Sequence, residues 1–360
     1  MPSIRKRGIS RKTAVAAVFS LALGTFAATS ALAVPAQSKS TPEWPLVLEP
    51  DAKAFADAAA KTPPIYTLSP ADARKALEDV QSGPIDKLPA DISHRTLKVG
   101  PTGTVDIRIV RPEGVTGKLP AVVYTHGGGW VLGSENTHDR LVRQIANGAH
   151  AAVIFVDYTP SPEAQFPVPI EQAYAVTKWV AEHGDDINVD GSRLAIAGDS
   201  VGGNMATAVT LMAKQRGGPK LDGQVMMYPV TNADFNTDSY HTFANGPWLT
   251  RKSMQWFWDN YAPNKKDREN ILASPLRASL NQLKGLPKTL LITDEGDVLR
   301  DEGEAYAAKL RAAGTDITTV RYQGTIHDFA MLNPVANTNA TKAAVKQVSE
   351  FLYDDLYGRS

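Results

Sequence analysis

Gly198-Asp199-Ser200-Val201-Gly202, followed by Gly203, is the stretch whose reading decides the fold. It comes after Leu194-Ala195-Ile196-Ala197, an apolar run of the kind that forms a short buried strand, and before Asn204-Met205-Ala206-Thr207-Ala208-Val209, which reads as a helix. Strand, Gly-x-Ser-x-Gly, helix is the context of a nucleophile elbow. Side chains at the flanking positions of so tight a turn would collide, so Gly198 and Gly202 supply hydrogen instead. The serine hydroxyl is then exposed on a strained corner near a helix N-terminus, where developing negative charge is favoured. A plain glycine-rich turn would carry the same letters, so the rest of the chain has to decide.

Outward from the elbow, strand and helix alternate. Strands are expected at 121–126, 151–157, 193–198, 223–229, 289–293 and 318–323, and helices at about 137–147, 169–182, 200–214, 301–313 and 339–357. Ala151-Ala152-Val153-Ile154-Phe155-Val156 is continuously apolar, as suits a strand covered on both faces. A mostly parallel sheet with helices on both sides follows. Runs 92–99 and 105–110 flank Gly100-Pro101-Thr102-Gly103 and read as a hairpin, bringing the sheet to eight strands. Helices over 52–61 and 71–80, the second begun by Ser69-Pro70, precede any strand and read as a cap. Residues 231–275 interrupt the alternation and read as an insertion over the C-terminal edge of the sheet.

Three glycines in His126-Gly127-Gly128-Gly129-Trp130, directly after the strand at 121–126, let backbone N–H groups turn inward. Acyl transfer needs such donors for the oxyanion of its tetrahedral intermediate. A phosphate loop would require Gly-x-Gly-x-x-Gly or a Gly-Lys-Ser ending, and neither is present. A nucleophilic serine also needs a base, and the base an orienting carboxylate. Of seven histidines only His241 and His327 follow Ser200, and His327 comes just after the last strand. The order serine, acid, histidine places the acid in Thr293-Asp294-Glu295-Gly296-Asp297-Val298-Leu299-Arg300-Asp301-Glu302-Gly303, where Asp294 competes with Asp297. Val298-Leu299 can anchor Asp297, while Asp301 and Glu302 suit the first turn of the next helix.

Together these pieces resemble the hormone-sensitive-lipase family of α/β-hydrolases, in its bacterial GDSxGG esterase branch. The matching residues are His126 to Trp130, Gly198 to Gly203, Asp297-x-Leu299-x-Asp301-Glu302-Gly303, His327-x-Phe329, Ser274-Pro275-Leu276 and Gly285-Leu286-Pro287. They span roughly residues 90–355. The resemblance implies Ser200 as nucleophile, Asp297 as acid and His327 as base, with Gly127, Gly128 and Val201 donating the oxyanion-hole N–H groups. It also implies a serine carboxylesterase for short to medium acyl chains, with no cofactor and no metal. A peptidase or amidase on the same scaffold and a non-catalytic binding protein are the competing readings. Val201 stands where the family has alanine, and its extra methyls would narrow the acyl pocket. Asp328 stands where the family has glycine, and close to His327 it would raise that base. Tyr158 to Glu163 lacks the family's Arg-Leu-Ala. Seven aromatics crowd 240–261 and either line an acyl site or dock the cap; Trp130, Trp248 and Phe257 are the expected substrate contacts.

Composition bounds the rest. Hydrophobic content of 43% and charged content of 21% are those of an ordinary globular protein, and 38 basic residues balance 38 acidic ones. Arg5, Lys6, Arg7, Arg11 and Lys12 precede an apolar run that ends in Ala31-Leu32-Ala33, a signal-peptide pattern over 1–33. Arg11-Lys12 is not a twin arginine, which favours the general export route. Cleavage would leave 33 basic against 38 acidic residues, a net charge of −5 that disfavours nucleic acid as a partner. The absence of cysteine excludes disulfides, Cys-ligated zinc and a thiol nucleophile. The expected organisation is a signal peptide (1–33), a linker with cap helices (34–90), a core (91–230 and 276–360) and a cap insertion (231–275). The mature protein is expected to be secreted or periplasmic, to act on a small-molecule ester and to hold no stable membrane segment; the sequence leaves a homodimer open.

Overall fold

The computed structural model describes residues 46–358. The expected signal peptide and most of the linker that follows it lie outside the described residues. Eight strands form one sheet: β1 (Ala90–Leu97), β2 (Val105–Pro112), β3 (Leu119–Thr125), β4 (Ala152–Asp157), β5 (Val189–Asp199), β6 (Gly223–Met227), β7 (Lys288–Gly296) and β8 (Ile317–Ile326). Their order is β1-β2-β4-β3-β5-β6-β7-β8. β2 runs antiparallel to both β1 and β4, and every other pairing is parallel. Burial follows position: β3 and β6 are buried at every residue, whereas the edge strand β1 is largely exposed.

The helices are α1 (Pro50–Ala59), α2 (Pro70–Gln81), α3 (Asp139–Ala149), α4 (Val168–His183), α5 (Val201–Arg216), α6 (Asp238–Thr242), α7 (Arg251–Tyr261), α8 (Leu280–Leu283), α9 (Arg300–Ala312) and α10 (Asn339–Tyr357). α3 and α10 pack on each other against one face of the sheet, while α4, α5 and α9 cover the other. Local chemistry starts and stops them. The Ser69 hydroxyl accepts the Asp72 N–H ahead of Pro70, and Gly217 ends α5 in the left-handed region at φ 76°.

β5 begins four residues before the expected strand. Its first residues pair with Leu119 and Pro120, and the register then slips across a bulge containing Gly191–Arg193. Asp190 folds that bulge onto itself by accepting from Ser192 and Arg193. The polar run hid the start of the strand, because the pattern of a bulge is not that of a ladder. β6 ends two residues earlier than expected, at Met227, since Tyr228 turns to φ 39°.

The segment before β1 and the insertion after β6 belong to the same compact unit as the sheet. Arg74 of α2 donates to the carbonyls of Val131 and Ser161 at 2.7 and 2.9 Å, and its guanidinium pairs with Glu163. Gln81 donates to the Thr137 and Met331 carbonyls and accepts the Asn333 N–H. Glu49 caps the N-terminus of α10 by accepting from Asn339 and Ala340. Tethered in this way, α1, α2 and α7 roof the C-terminal ends of β3, β5 and β8.

Candidate active site

Ser200 stands between β5 and α5 with φ 53° and ψ −122°. Such a conformation costs a non-glycine residue on the order of 1–3 kcal/mol, so its surroundings must hold it. The Ser200 N–H donates to Met227 O at 2.8 Å, and the Asn204 and Val230 N–H groups donate to Ser200 O. Asn204 then ties down the far side, donating to the carbonyls of Val230 and Ala273. The flanking glycines are sterically required. A Cβ at Gly198 would meet the Gly202 backbone, and one at Gly202 would overlap the Thr125 carbonyl.

His327, on the turn after β8, brings the chemistry together. Its Nε2 lies 2.9 Å from Ser200 Oγ and its Nδ1 lies 2.8 Å from Asp297 Oδ2. The other Asp297 oxygen accepts the Leu299 N–H at 3.0 Å, which locks the carboxylate in place. The expected serine, acid and base therefore meet in one buried line. Burial alone would lower the pKa of His327, but the carboxylates of Asp297 and Asp328 prevail and raise it. Asp328 Oδ1 lies 3.3 Å from His327 Nε2, and its Oδ2 accepts the Trp248 indole N–H at 3.0 Å. Asp294 does not hydrogen-bond the imidazole; its carboxyl lies within 4.8 Å of both Asp297 and His327. Among the described residues this trio is the one group spaced for a cation, but two of its members, His327 and Asp297, are already turned to one another.

The oxyanion donors require one correction. The Gly127 N–H, expected in the hole, donates instead to Asp199 Oδ1 at 3.1 Å. Gly128 and Gly129 line the cavity beside Ser200, and among the described residues no acceptor takes their N–H groups; the Val201 N–H opens α5. The free pair is thus Gly128 and Gly129, joined by Val201, and Gly129 was missed. Only the folded chain marks it: φ is 65° there, and a Cβ would strike the Phe257 ring. The Val201 side chain is buried in the core and does not narrow the cavity as expected.

A buried ion pair holds this loop from beneath. Asp199 accepts from Tyr124 Oη at 2.6 Å as well as from Gly127, and its Oδ2 lies 3.2 Å from His138 Nε2. Burial would neutralise both partners, yet each overrides it in the other: the Asp199 pKa is lowered and the His138 pKa is raised. Neighbouring His126 is pushed down to about 3, by burial first and then by His138, so it is neutral. Its Nδ1–H donates to Gly127 O at 2.8 Å while the ring stacks on Tyr158 at 4.3 Å. Asp199, His138 and Tyr124 were not legible as site residues, because no motif joins positions so far apart.

The site opens into a cavity of about 980 Å³, roofed by apolar side chains such as Phe55, Ile65, Leu68 and Leu249. Trp248 and Phe257 line it as expected, but Trp130 does not. Fully buried, Trp130 stacks on Tyr261 at 4.0 Å and meets Trp258 edge-on at 4.9 Å. At φ 60° its backbone turns the indole away from the glycine loop and under α7. The aromatics of the insertion divide accordingly: Trp248 and Phe257 face the cavity, while Tyr240, Trp258 and Tyr261 are buried in the core.

With that geometry in place, likeness to known proteins is specific. A family model described as the alpha/beta hydrolase fold matches residues 122–331. A thermostable esterase from Pseudomonas putida ECU1011 superposes with a TM-score of 0.84 at 50% identity, over 86% of this chain and 98% of that one. A fungal esterase from Rhizomucor miehei gives 0.82 at 42% identity, over 87% and 98%. The carboxylesterase NlhH of Mycobacterium tuberculosis is 37% identical over 68% of this chain and 78% of its own. The chain belongs to the α/β-hydrolase family, in the branch of carboxylic ester hydrolases that resembles hormone-sensitive lipase.

Proposed function

We infer that Ser200, His327 and Asp297 hydrolyse short- to medium-chain acyl esters through an acyl-enzyme intermediate. The observation that carries this reading is His327, which spans Ser200 Oγ and Asp297 Oδ2 at 2.9 and 2.8 Å. The neutral imidazole takes the serine proton as Oγ attacks the ester carbonyl. The resulting oxyanion falls to the N–H groups of Gly128, Gly129 and Val201, where each donor is worth roughly 10²–10³ in rate. The imidazolium, steadied by Asp297, returns the proton to the leaving alcohol, and water reverses these steps to free the acid. The apolar roof favours an acyl or alcohol group of moderate size over a charged one. A panel of p-nitrophenyl esters of rising chain length tests this, with activity expected to peak at short to medium chains and to exceed that on matched anilides. A preference for the anilides would turn the reading to an amidase.

We also infer export, with cleavage after Ala33. Support comes from the basic start, the apolar run and Ala31-Leu32-Ala33. Among the described residues no helix is long and apolar enough to cross a membrane. N-terminal sequencing of protein recovered from the periplasm or medium should begin at Val34; a cell-retained protein that begins at Met1 would refute it.

A further inference from the structure

Asp294, near the end of β7, is the buried acid that the mechanism above leaves unused. It is fully buried, and among the described residues no donor gives a hydrogen bond to either carboxyl oxygen. Beside it lie Asp297 on the following loop, His327 and Asp328 on the turn after β8, and Tyr228 after β6. None of these is a permanent cation. A carboxylate with no donor and no fixed counter-charge is costly to bury, whereas the neutral acid needs only one acceptor for its proton. Burial and the Asp297 charge both raise its pKa, and His327 opposes them only in part. Asp297 lies within 4.8 Å as an acceptor; its oxygens each take one hydrogen bond, from His327 and from Leu299, and keep lone pairs to spare.

We propose that Asp294 is held as a neutral carboxylic acid that donates its proton to Asp297 and thereby acts as a positioning residue for the triad. The inference rests on the triad reading above. The pair carries one negative charge over two carboxyl groups. Its donated hydrogen bond fixes the Asp297 carboxylate from behind and draws charge from the oxygen that faces His327. The imidazole then meets a weaker carboxylate than it would if Asp297 stood alone, which keeps its neutral form available for proton abstraction.

The pH dependence of kcat/KM on a neutral, soluble ester separates this role from a merely structural one. In Asp294→Asn the amide still donates an N–H to Asp297, so the acid-side limb should stay within about 0.3 pH unit of wild type and kcat within about tenfold. In Asp294→Ala the donor is lost, and the limb should move up by about 0.5 unit or more. An ionised Asp294 predicts the reverse, because both substitutions would remove a negative charge and move the limb down. Limbs unmoved in both variants would also overturn the proposal. Infrared difference spectra guard against an Ala variant that fails to fold: subtracting Asp294→Asn from wild type at neutral pH should leave the C=O band of a protonated carboxyl. The absence of that band would refute the neutral acid. Ser200→Ala, run alongside, keeps the two readings apart: if it retained activity, the triad would fall, whereas loss of activity with the opposite Asp294 shifts would sink this proposal alone.

Discussion

Asp199 reaches past the serine it precedes and takes the Gly127 N–H on its Oδ1 at 3.1 Å. One carboxylate thus joins the elbow to the oxyanion loop, and its charge is matched by His138 on the far side. Removing one partner of a buried pair leaves the other uncompensated, which costs about 3–5 kcal/mol. Asp199→Ala should lose about that much in urea denaturation, and kcat should fall roughly 10–100-fold as the loop shifts. The sign with pH follows from both shifts. The lowered Asp199 pKa contributes fully above its unfolded value of about 3.9, and the raised His138 pKa contributes fully below about 6.5. The gap between wild type and variant should therefore be widest between these values, narrowing as pH falls through the native Asp199 pKa or rises through that of His138. A pH-independent gap would show that the pair is not charged.

The triad itself predicts two losses of different size. Ser200→Ala should lower kcat by roughly 10⁶-fold, since the three side chains act as a unit. Asp297→Asn should lower it by up to about 10⁴-fold, because the amide favours the wrong imidazole tautomer. Both variants should keep the wild-type circular dichroism spectrum. If Asp294→Asn lost more activity than Asp297→Asn on the same ester, the acid would have been misassigned.

Asp328 should set the acid limb. His327 works as a base only when deprotonated, and carboxylates that raise its pKa move the acid side of kcat/KM above the roughly 6.5 of free histidine. Asp328→Asn removes one of those charges, so the limb should move down toward that value on an uncharged ester. A limb unmoved by the substitution would mean that Asp328 is neutral in the free enzyme.

Two tryptophans separate packing from substrate contact. Trp130→Ala should cost about 3–5 kcal/mol of stability, as expected for a large buried aromatic. Trp248→Ala, at the cavity wall, should instead raise KM for its preferred ester roughly tenfold, which corresponds to ~1.4 kcal/mol of lost contact. Thermal melts and steady-state kinetics on both variants would settle the division; a KM effect at Trp130 without a stability loss would restore it to the binding site.

Sequence by itself determined the alternation of strand and helix, the elbow, and which residues could serve as nucleophile, base and acid. Those features are local. Gly198 and Gly202 are demanded by a turn that closes within five residues, and β3, β4 and β6 are mostly apolar because both faces of the sheet are covered. Chain order alone then left His327 as the one histidine after the last strand. The tertiary structure decided what depends on partners far away in the chain. Three consecutive glycines read alike until Asp199, 72 residues further on, claims the first N–H and leaves the next two free. Trp130 reads as a pocket residue until Tyr261 and Trp258 receive it in the core. A motif specifies which groups a segment offers, but whether a backbone donor or an indole faces substrate depends on which side chain reaches it first, and that is fixed only when the whole chain packs.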